Sequence, residues 1–278
     1  MRLDQKVIAI TGAGMGLGRE LALKAARAGA SLALADLRQE PLMETERMAK
    51  EAGAQVATSV LDIADGSLVQ SWVDDVIREY GHVDGFISNA GMGLPWRYLE
   101  ATPMEDLRRI VDVNMWGAVQ GTLAFLPHLK ERPESSIVIV SSAASMVASA
   151  NQVGYSMSKF GLRAFAEGLR MEMTGTGVRV LLVLPGAMLG TDFMRNAVEA
   201  VGGEAATSGQ EMAAMPFTVT AEKAAAKIVG AIQRNQSRIT IGMDAAVMSG
   251  IVRMFPSSYI KILQPLVAKY EKTYTGSK

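Results

Sequence analysis

Several residue types are scarce or missing in this chain, and each absence limits what the protein can be. None of the 278 residues is cysteine, which excludes disulfides and thiolate metal sites. Aromatic residues make up only 6%, and the two histidines, His82 and His128, are poorly placed for a catalytic triad or a metal site. Lysine plus arginine equals aspartate plus glutamate at 28 each, so no basic footprint predicts a nucleic-acid partner.

Long uncharged apolar runs are also absent. No stretch reaches the roughly 18 residues that a membrane span needs. The N-terminal residues MRLDQKVIAITG lack the profile of a signal peptide and lead directly into a predicted strand. We therefore expect a cytoplasmic protein. The chain is rich in apolar residues, at 49%, and its length suits one α/β domain or two small ones with a large core.

The first glycine cluster lies between two predicted strands, residues 6–11 and 31–36. Its spacing is G-x-x-x-G-x-G, with Gly12, Gly16 and Gly18 at the glycine positions and Leu17 inside the cluster. Glycine lets the backbone turn tightly and approach a pyrophosphate at the N-terminus of a helix. The cluster therefore predicts a dinucleotide site, although a plain strand–helix turn would have the same pattern.

Asp36 ends the second predicted strand. A carboxylate there can bind both ribose hydroxyls and would repel a 2′-phosphate, which predicts a preference for NAD(H) over NADP(H). Two alternatives stay open: Asp36 could be an acidic cap on the next turn, and Arg38 could accommodate the phosphate.

Strand and helix patterns alternate along the rest of the chain. Further strands are predicted at residues 55–61, 83–88, 136–141, 178–184 and 238–241. Helices are predicted up to residue 28, at 41–52, 67–80, 104–129 and 221–233, and from the Tyr155 region to about 173. This alternation predicts an α/β fold: a single-domain, Rossmann-type, doubly wound parallel sheet of about seven strands with helices on both faces. Residues 1–242 would form the dinucleotide-binding and catalytic domain, with an irregular segment at 187–219, and 243–278 a C-terminal helical extension.

The stretch SAASMVASANQVGYSMSK, residues 142–159, carries the predicted chemistry. Tyr155 and Lys159 are four residues apart and would share one face of a helix. A nearby cation favours the phenolate and lowers a phenol pKa from about 10 toward the working range. Ser142 follows a predicted buried strand, where its hydroxyl could hold a carbonyl or alcohol oxygen. Together these residues predict a proton-transfer site that works beside a hydride carrier.

Four motifs, TGAGMGLG, NAG, SS and YSMSK, occur in this order, and from about residue 3 to 242 the chain resembles the short-chain dehydrogenase/reductase family. The resemblance implies a nicotinamide-dependent enzyme in which Tyr155 is the general acid/base, Lys159 binds the nicotinamide ribose and Ser142 orients the substrate. It also implies that Asn114 holds a water in a proton relay and that Asp62 and Ile63 meet the adenine. Further implied cofactor contacts line the cleft (Asn89, Ala90, Gly91), lie beside the nicotinamide (Pro185, Gly186) or follow these two (Met188). Each has a structural alternative, such as a strand-end cap for Ser142 or a helix-interior amide for Asn114.

The chain departs from the family pattern at one point. The family usually has a threonine five residues after the proline of its PG motif, near the cofactor carboxamide. Here that position is Gly190, and the threonine is Thr191. The residue that contacts the carboxamide is therefore left open.

Methionine is abundant, at 18 residues, and several methionines fall where the family borders its substrate. The predicted substrate contacts are Met92, Met146, Met194 and, as the polar one, Gln152. Flexible thioethers suit an adaptable apolar pocket, although they also fill gaps in a core. We expect a small apolar alcohol or ketone, steroid-like or lipid-like, as the substrate. A 3-oxoacyl-thioester reductase and a cofactor-binding sensor without turnover are the alternatives.

After residue 242 come two apolar stripes separated by Pro256, with scattered basic residues. The stripes are short and broken, which favours packing on the protein or on a subunit partner. A basic amphipathic helix on a membrane surface is the less favoured alternative. A homodimer or homotetramer is the expected assembly.

Overall fold

The alternating strands form one parallel sheet. The computed structural model of the protein describes residues 1–148, 150–189 and 219–265. Its strands are β1 (Val7–Thr11), β2 (Ser31–Asp36), β3 (Val56–Val60), β4 (Gly85–Ser88), β5 (Ser135–Val140), β6 (Val178–Pro185), β7 (Met188–Leu189), β8 (Val219–Thr220) and β9 (Arg238–Ile241). Seven of these strands are hydrogen-bonded in the order β3-β2-β1-β4-β5-β6-β9, and β7 pairs with β8 in a separate small sheet. The predicted doubly wound sheet of about seven strands is confirmed.

Helices cover both faces of this sheet. They are α1 (Gly16–Arg27), α2 (Gln39–Glu51), α3 (Gly66–Tyr80), α4 (Met104–Val111), α5 (Gly117–Lys130), α6 (Val153–Glu172), α7 (Ala221–Gln233) and α8 (Met243–Met254). One core layer packs Trp72, Phe86 and Phe125 together, and the layer on the opposite face includes Leu21 and Ile228. Burial on both faces explains why the central strands are largely continuous apolar runs, such as VIAIT in β1 and LLVL in β6, instead of alternating ones.

The strand order reverses at β1, which has β2 on one side and β4 on the other. In open parallel sheets, ligands bind in the crevice outside the carboxyl ends of the strands at such a switch point. The predicted glycine cluster follows β1, so the fold places it at this crevice.

Two sequence predictions need correction. The helix predicted at residues 104–129 is interrupted by a π-helical turn, Asp112–Trp116, which contains Asn114. The segment predicted to be irregular at 187–219 begins and ends in strands, because Met188 pairs with Val219. Periodicity could not reveal either feature, since a π turn alters the helix by a single residue and β7 and β8 have two residues each.

The C-terminal segment packs on the core as far as residue 265. Ala245 is fully buried and Leu263 is almost so, and both belong to the same core layer as the sheet. Half-buried apolar side chains of the segment pack against this layer: Met248, Ile251, Val252 and Tyr259. Ile262, in the second predicted stripe, is 40% exposed. The residues of that stripe after 265 lie outside the described residues. Within residues 1–148, 150–189 and 219–265, no helix is both long and apolar enough to cross a membrane.

A buried carboxylate anchors the sheet edge opposite the crevice. Asp84 is completely buried and accepts hydrogen bonds from the Val7 N–H at 3.0 Å, Lys6 Nζ at 3.2 Å and Arg132 Nε at 2.9 Å. Burial by itself would raise the pKa of the Asp84 carboxyl, but these three donors hold it below its ordinary value. His82 adds a contact at 3.2 Å. The carboxylate therefore ties β1 and β4 to the end of α5.

We expect Asp84→Asn to lower the free energy of unfolding by about 2–4 kcal/mol at neutral pH, because it leaves partly buried cations without their counter-charge. Urea unfolding measures this. The native pKa of Asp84 is depressed, so its contribution is complete above the unfolded pKa of about 4 and is lost as the pH falls below it. The exposed Asp74→Asn is the matched control. An Asp84→Asn protein as stable as this control would contradict the anchoring role.

Candidate active site

The turn between β1 and α1 has the backbone geometry of an anion site. Gly12 and Gly16 have φ of +64° and +52°, the left-handed region that favours glycine. A Cβ on Gly18 would lie 1.9 Å from the Gly12 carbonyl oxygen, so only glycine allows this approach. No side chain caps the N-terminus of α1, and its first turn has no acidic residue. Its N–H groups and dipole can therefore bind a pyrophosphate.

Hydrogen bonds join this turn to the end of β4. Thr11 Oγ1 accepts the N–H groups of Asn89 and Ala90, both at 3.1 Å. The Asn89 amide donates to the carbonyls of Thr11 at 3.0 Å and Gly12 at 3.1 Å. These bonds hold the two sides of the switch point together, so the predicted site residue Asn89 has a structural role. Sequence reasoning missed Thr11, although the hydroxyl just before the glycines was the available signal. Leu17 is buried beside the turn.

Asp36 lies where the sequence predicts it, at the carboxyl end of β2. Its Oδ2 accepts the Gly14 N–H at 2.8 Å, and its Oδ1 accepts the Arg38 N–H at 3.0 Å. The Arg38 guanidinium donates to the sulfur of Met15 at 2.7 Å. Two backbone N–H groups therefore hold the carboxylate next to the glycine turn. Gly14 was missed as a site residue because the fitted glycine spacing does not include it.

The predicted adenine residues follow β3. Asp62 accepts the Ala64 N–H at 2.9 Å with one oxygen and the Arg109 guanidinium at 2.6 Å with the other. Ile63 is buried, and a Cβ on Gly117 would lie 2.8 Å from its Cγ2. Arg109 comes from α4, 47 positions further along the chain, and no sequence pattern links it to Asp62.

Ser142 and Tyr155 are brought together as predicted. Their hydroxyls are hydrogen-bonded, and Ser142 Oγ also accepts the Ala144 N–H at 3.1 Å at the start of the short 3₁₀ turn Ala143–Ser145. Ser142 is therefore a cap and a partner of the tyrosine at the same time. Burial raises the pKa of the Tyr155 phenol, and the hydrogen bond with Ser142 offsets this only in part.

Lys159 is 4% exposed, so it is a buried lysine and not a solvated surface one. Its Nζ lies 5.8 Å from the centroid of the Tyr155 ring and donates to the Val140 carbonyl at 3.4 Å. Burial lowers the pKa of the Lys159 ammonium to about 8. The expected net lowering of the tyrosine pKa by Lys159 needs correction, because in this structure burial dominates and the Tyr155 pKa is raised.

Asn114 uses its whole side-chain amide within the protein. Its Oδ1 accepts the Met92 N–H at 2.8 Å, and its Nδ2 donates to the Met92 carbonyl and to Ser158 Oγ, both at 3.0 Å. A Cβ on Gly91 would lie 3.1 Å from Asn114 Oδ1 and 3.3 Å from Lys159 Nζ. The π turn therefore delivers an amide that fixes the loop after β4 beside Lys159. The water relay implied by the resemblance stays a prediction.

The predicted substrate residues have different surroundings. Met92 is half-buried beside Asn114. Met146 needs correction, because it is 3% exposed in the core and its sulfur accepts a hydrogen bond from Arg238 at 3.5 Å. Gln152 donates to the Leu94 carbonyl at 2.9 Å, which uses one of the two N–H groups of its amide.

The PG motif, Pro185-Gly186, lies at the end of β6. Pro185 is the last residue of the strand, and the Gly186 N–H donates to the Ile241 carbonyl at 2.8 Å. Met188 packs partly buried in β7. Met194 lies outside the described residues, as do Gly190 and Thr191, so the residue that contacts the cofactor carboxamide stays open at this position.

The fold and this site define an α/β dinucleotide-binding protein with a tyrosine, a serine and a lysine beside the cofactor crevice. The uncapped helix N-terminus and the close-packed glycines fit a pyrophosphate, and the acid at the end of β2 fits an adenosine ribose. Residues 6–202 match the short chain dehydrogenase family. The chain belongs to this family and is an oxidoreductase, and the nicotinamide cofactor of such enzymes fits the site.

Relatives extend the match over most of the chain. A Mycobacterium tuberculosis protein named SadH, classed as an oxidoreductase, is 36% identical over 269 residues, covering 96% of this chain and 97% of its own. The 11-beta-hydroxysteroid dehydrogenase 1A of Arabidopsis thaliana is 31% identical over 239 residues, covering 84% and 68%. A short chain dehydrogenase/reductase from Burkholderia phymatum, solved in complex with NAD, has a TM-score of 0.78 at 27% identity, covering 86% and 90%.

Proposed function

We propose that the protein interconverts a secondary alcohol and a ketone on an apolar, steroid-like or lipid-like molecule, with Tyr155 as general acid/base and NAD(H) as the preferred cofactor. The observation that carries this proposal is the hydrogen-bonded pair of Ser142 and Tyr155 together with the buried Lys159, whose Nζ lies 5.8 Å from the Tyr155 ring. Tyrosine, serine and lysine can move one proton and hold one oxygen, which is what alcohol oxidation and ketone reduction require besides hydride transfer.

Each side chain has a defined task in this scheme. A bound nicotinamide supplies or accepts the hydride. Ser142 holds the substrate oxygen by a hydrogen bond, and the Tyr155 hydroxyl gives a proton to that oxygen in reduction or takes it in oxidation. A protonated Lys159 favours the phenolate that forms when Tyr155 gives up its proton. Asn114 keeps the Met92 loop in place beside these groups.

An apolar substrate is supported by the surroundings of Tyr155. A Cβ on the preceding Gly154 would lie 2.6 Å from Leu107 Cδ2, 3.3 Å from Leu94 Cδ1 and 3.6 Å from Ile110 Cγ2. Aliphatic side chains therefore pack against the start of α6 at Gly154, and the amide nitrogen of the nearby Gln152 is already hydrogen-bonded to backbone. The likeness to a hydroxysteroid dehydrogenase supports the same substrate class.

The homodimer or homotetramer stays a prediction. Large apolar side chains are exposed on the outer surfaces of α6 and of the π turn and α5: Trp116, Leu123, Met157 and Phe160. Such a surface would suit a second copy of the chain.

A substrate panel tests the proposed function. With NADH in excess, we expect kcat/KM for a rigid steroid ketone to exceed that for a short aliphatic ketone by at least about tenfold, because each additional buried methylene contributes about 0.8 kcal/mol. NADH absorbance measures the rates, and a 3-oxoacyl thioester is the comparison substrate. Preference for the thioester would favour the reductase alternative. Lack of turnover with every ketone, alcohol and thioester tried would favour the sensor.

A further inference from the structure

A carboxylate from the first turn of α8 supports the turn that follows β6. Asp244 Oδ2 accepts the backbone N–H of Ala187 at 2.7 Å. A Cβ on Gly186 would lie 2.1 Å from Oδ2, and a Cβ on Gly242 would lie 2.3 Å from Oδ1. Asp244 therefore fits against the PG turn only because a glycine lies on each side of its carboxylate.

The second oxygen of this carboxylate has no hydrogen-bond partner among the described residues. Asp244 Oδ1 is buried and, among the residues that the structure describes, makes no hydrogen bond. A buried acceptor without a donor is costly, and such a group in a folded protein usually has a functional or ligand-related reason. The free oxygen lies between the backbones of Gly186 and Gly242.

The topology indicates which part of a dinucleotide reaches this oxygen. Asp36 marks the adenosine side at the end of β2, and the glycine turn after β1 suits the pyrophosphate. A dinucleotide that crosses the switch point then extends toward β5 and β6, whose ends carry Ser142 and the PG turn. A nicotinamide ring on this path would lie near the PG turn, which Asp244 supports. The polar group of nicotinamide is a carboxamide, which offers N–H donors to a carboxylate.

We propose that Asp244 is a cofactor-binding residue whose Oδ2 fixes the turn after β6 and whose Oδ1 accepts a hydrogen bond from the carboxamide N–H of nicotinamide. This proposal rests on the proposed use of a nicotinamide cofactor. It gives the unpartnered oxygen a donor. It also gives the carboxamide a partner in a chain that has Gly190 at the position of the family's threonine.

A binding experiment without turnover tests the proposal. The probes are NADH and reduced 3-acetylpyridine adenine dinucleotide, in which a methyl group replaces the amide nitrogen. The full-length protein should bind NADH at least about tenfold more tightly, since a hydrogen bond to a charged group contributes about 1.5–3 kcal/mol. In Asp244→Asn the two affinities should agree within about twofold, because one amide oxygen can still accept the Ala187 N–H while the acceptor facing the carboxamide is lost. The exposed Glu222→Gln on α7 should keep the original preference.

Two results would overturn the proposal: equal binding of both probes by the unmodified protein, or an unchanged preference in Asp244→Asn. If circular dichroism shows that Asp244→Asn does not fold, Gly186→Ala replaces it, because its Cβ displaces the carboxylate and should also remove the preference. A failure of the proposed function would be distinguishable from a failure of this proposal. A protein that binds NADH with the expected preference but turns over no substrate would contradict the proposed enzymatic activity and not the role of Asp244.

Discussion

Tyr155→Phe should lower kcat by about 10²- to 10⁴-fold, the range that general acid–base catalysis supplies. The substitution removes only the hydroxyl, so NADH affinity should stay close to that of the unmodified protein. Steady-state kinetics with the best ketone and a fluorescence titration with NADH measure the two quantities. Tyr80→Phe is the matched control, because its hydroxyl is also hydrogen-bonded, to the Leu32 carbonyl at 2.9 Å, but lies in α3 away from the crevice. A Tyr155→Phe protein with near-normal kcat would show that another group moves the proton.

Lys159→Met should have a broader effect than Tyr155→Phe. Lys159 is expected to bind the nicotinamide ribose and to favour the phenolate, so its loss should weaken NADH affinity as well as kcat. The pKa of Lys159 is about 8, and its protonated fraction falls as the pH rises through that value. NADH affinity of the cofactor-free protein should therefore decrease above about pH 8. Lys159→Met should show no such decrease, and the raised pKa of Tyr155 keeps the phenol neutral over this range.

Local pattern was sufficient for the parts of this protein that local physics determines. Apolar runs and glycine breaks predict the strands, and the four-residue spacing of Tyr155 and Lys159 predicts their shared helix face. The pattern could not predict which distant groups would meet. Arg109 reaches Asp62, and Asp244 reaches Ala187, only after the strands that carry these segments are ordered in the sheet.

The surroundings of the site show a second limit. Ionisation depends on burial, which the spacing of Tyr155 and Lys159 does not report. Their proximity predicts a lowered tyrosine pKa, yet burial raises it and lowers that of the lysine. Met146 is predicted to face the substrate because it falls where the family borders its substrate, but the chain turns after Ser142 and directs Met146 into the core.

The charge at the end of β2 should determine which cofactor is used. Asp36 is 8% exposed and held by the N–H groups of Gly14 and Arg38, so a 2′-phosphate would meet a fixed negative charge. Such a like-charge contact costs several kcal/mol, which predicts that kcat/KM for NADH exceeds that for NADPH by about 100-fold or more. Asp36→Asn should narrow the ratio to about tenfold or less, because it removes the repulsion but keeps one oxygen for the Gly14 N–H.

Asp62→Asn is the matched control for this prediction. Its carboxylate is paired with Arg109 and was predicted to meet the adenine, which both cofactors share, so its neutralisation should affect NADH and NADPH alike. The ratio of kcat/KM for the two cofactors is then the measurement, since losses common to both cancel. Arg38 is the competing group, because its guanidinium could turn from the Met15 sulfur to a phosphate. Equal or better use of NADPH by the unmodified protein would show that Arg38 outweighs Asp36, and Arg38→Leu would then restore the preference for NADH.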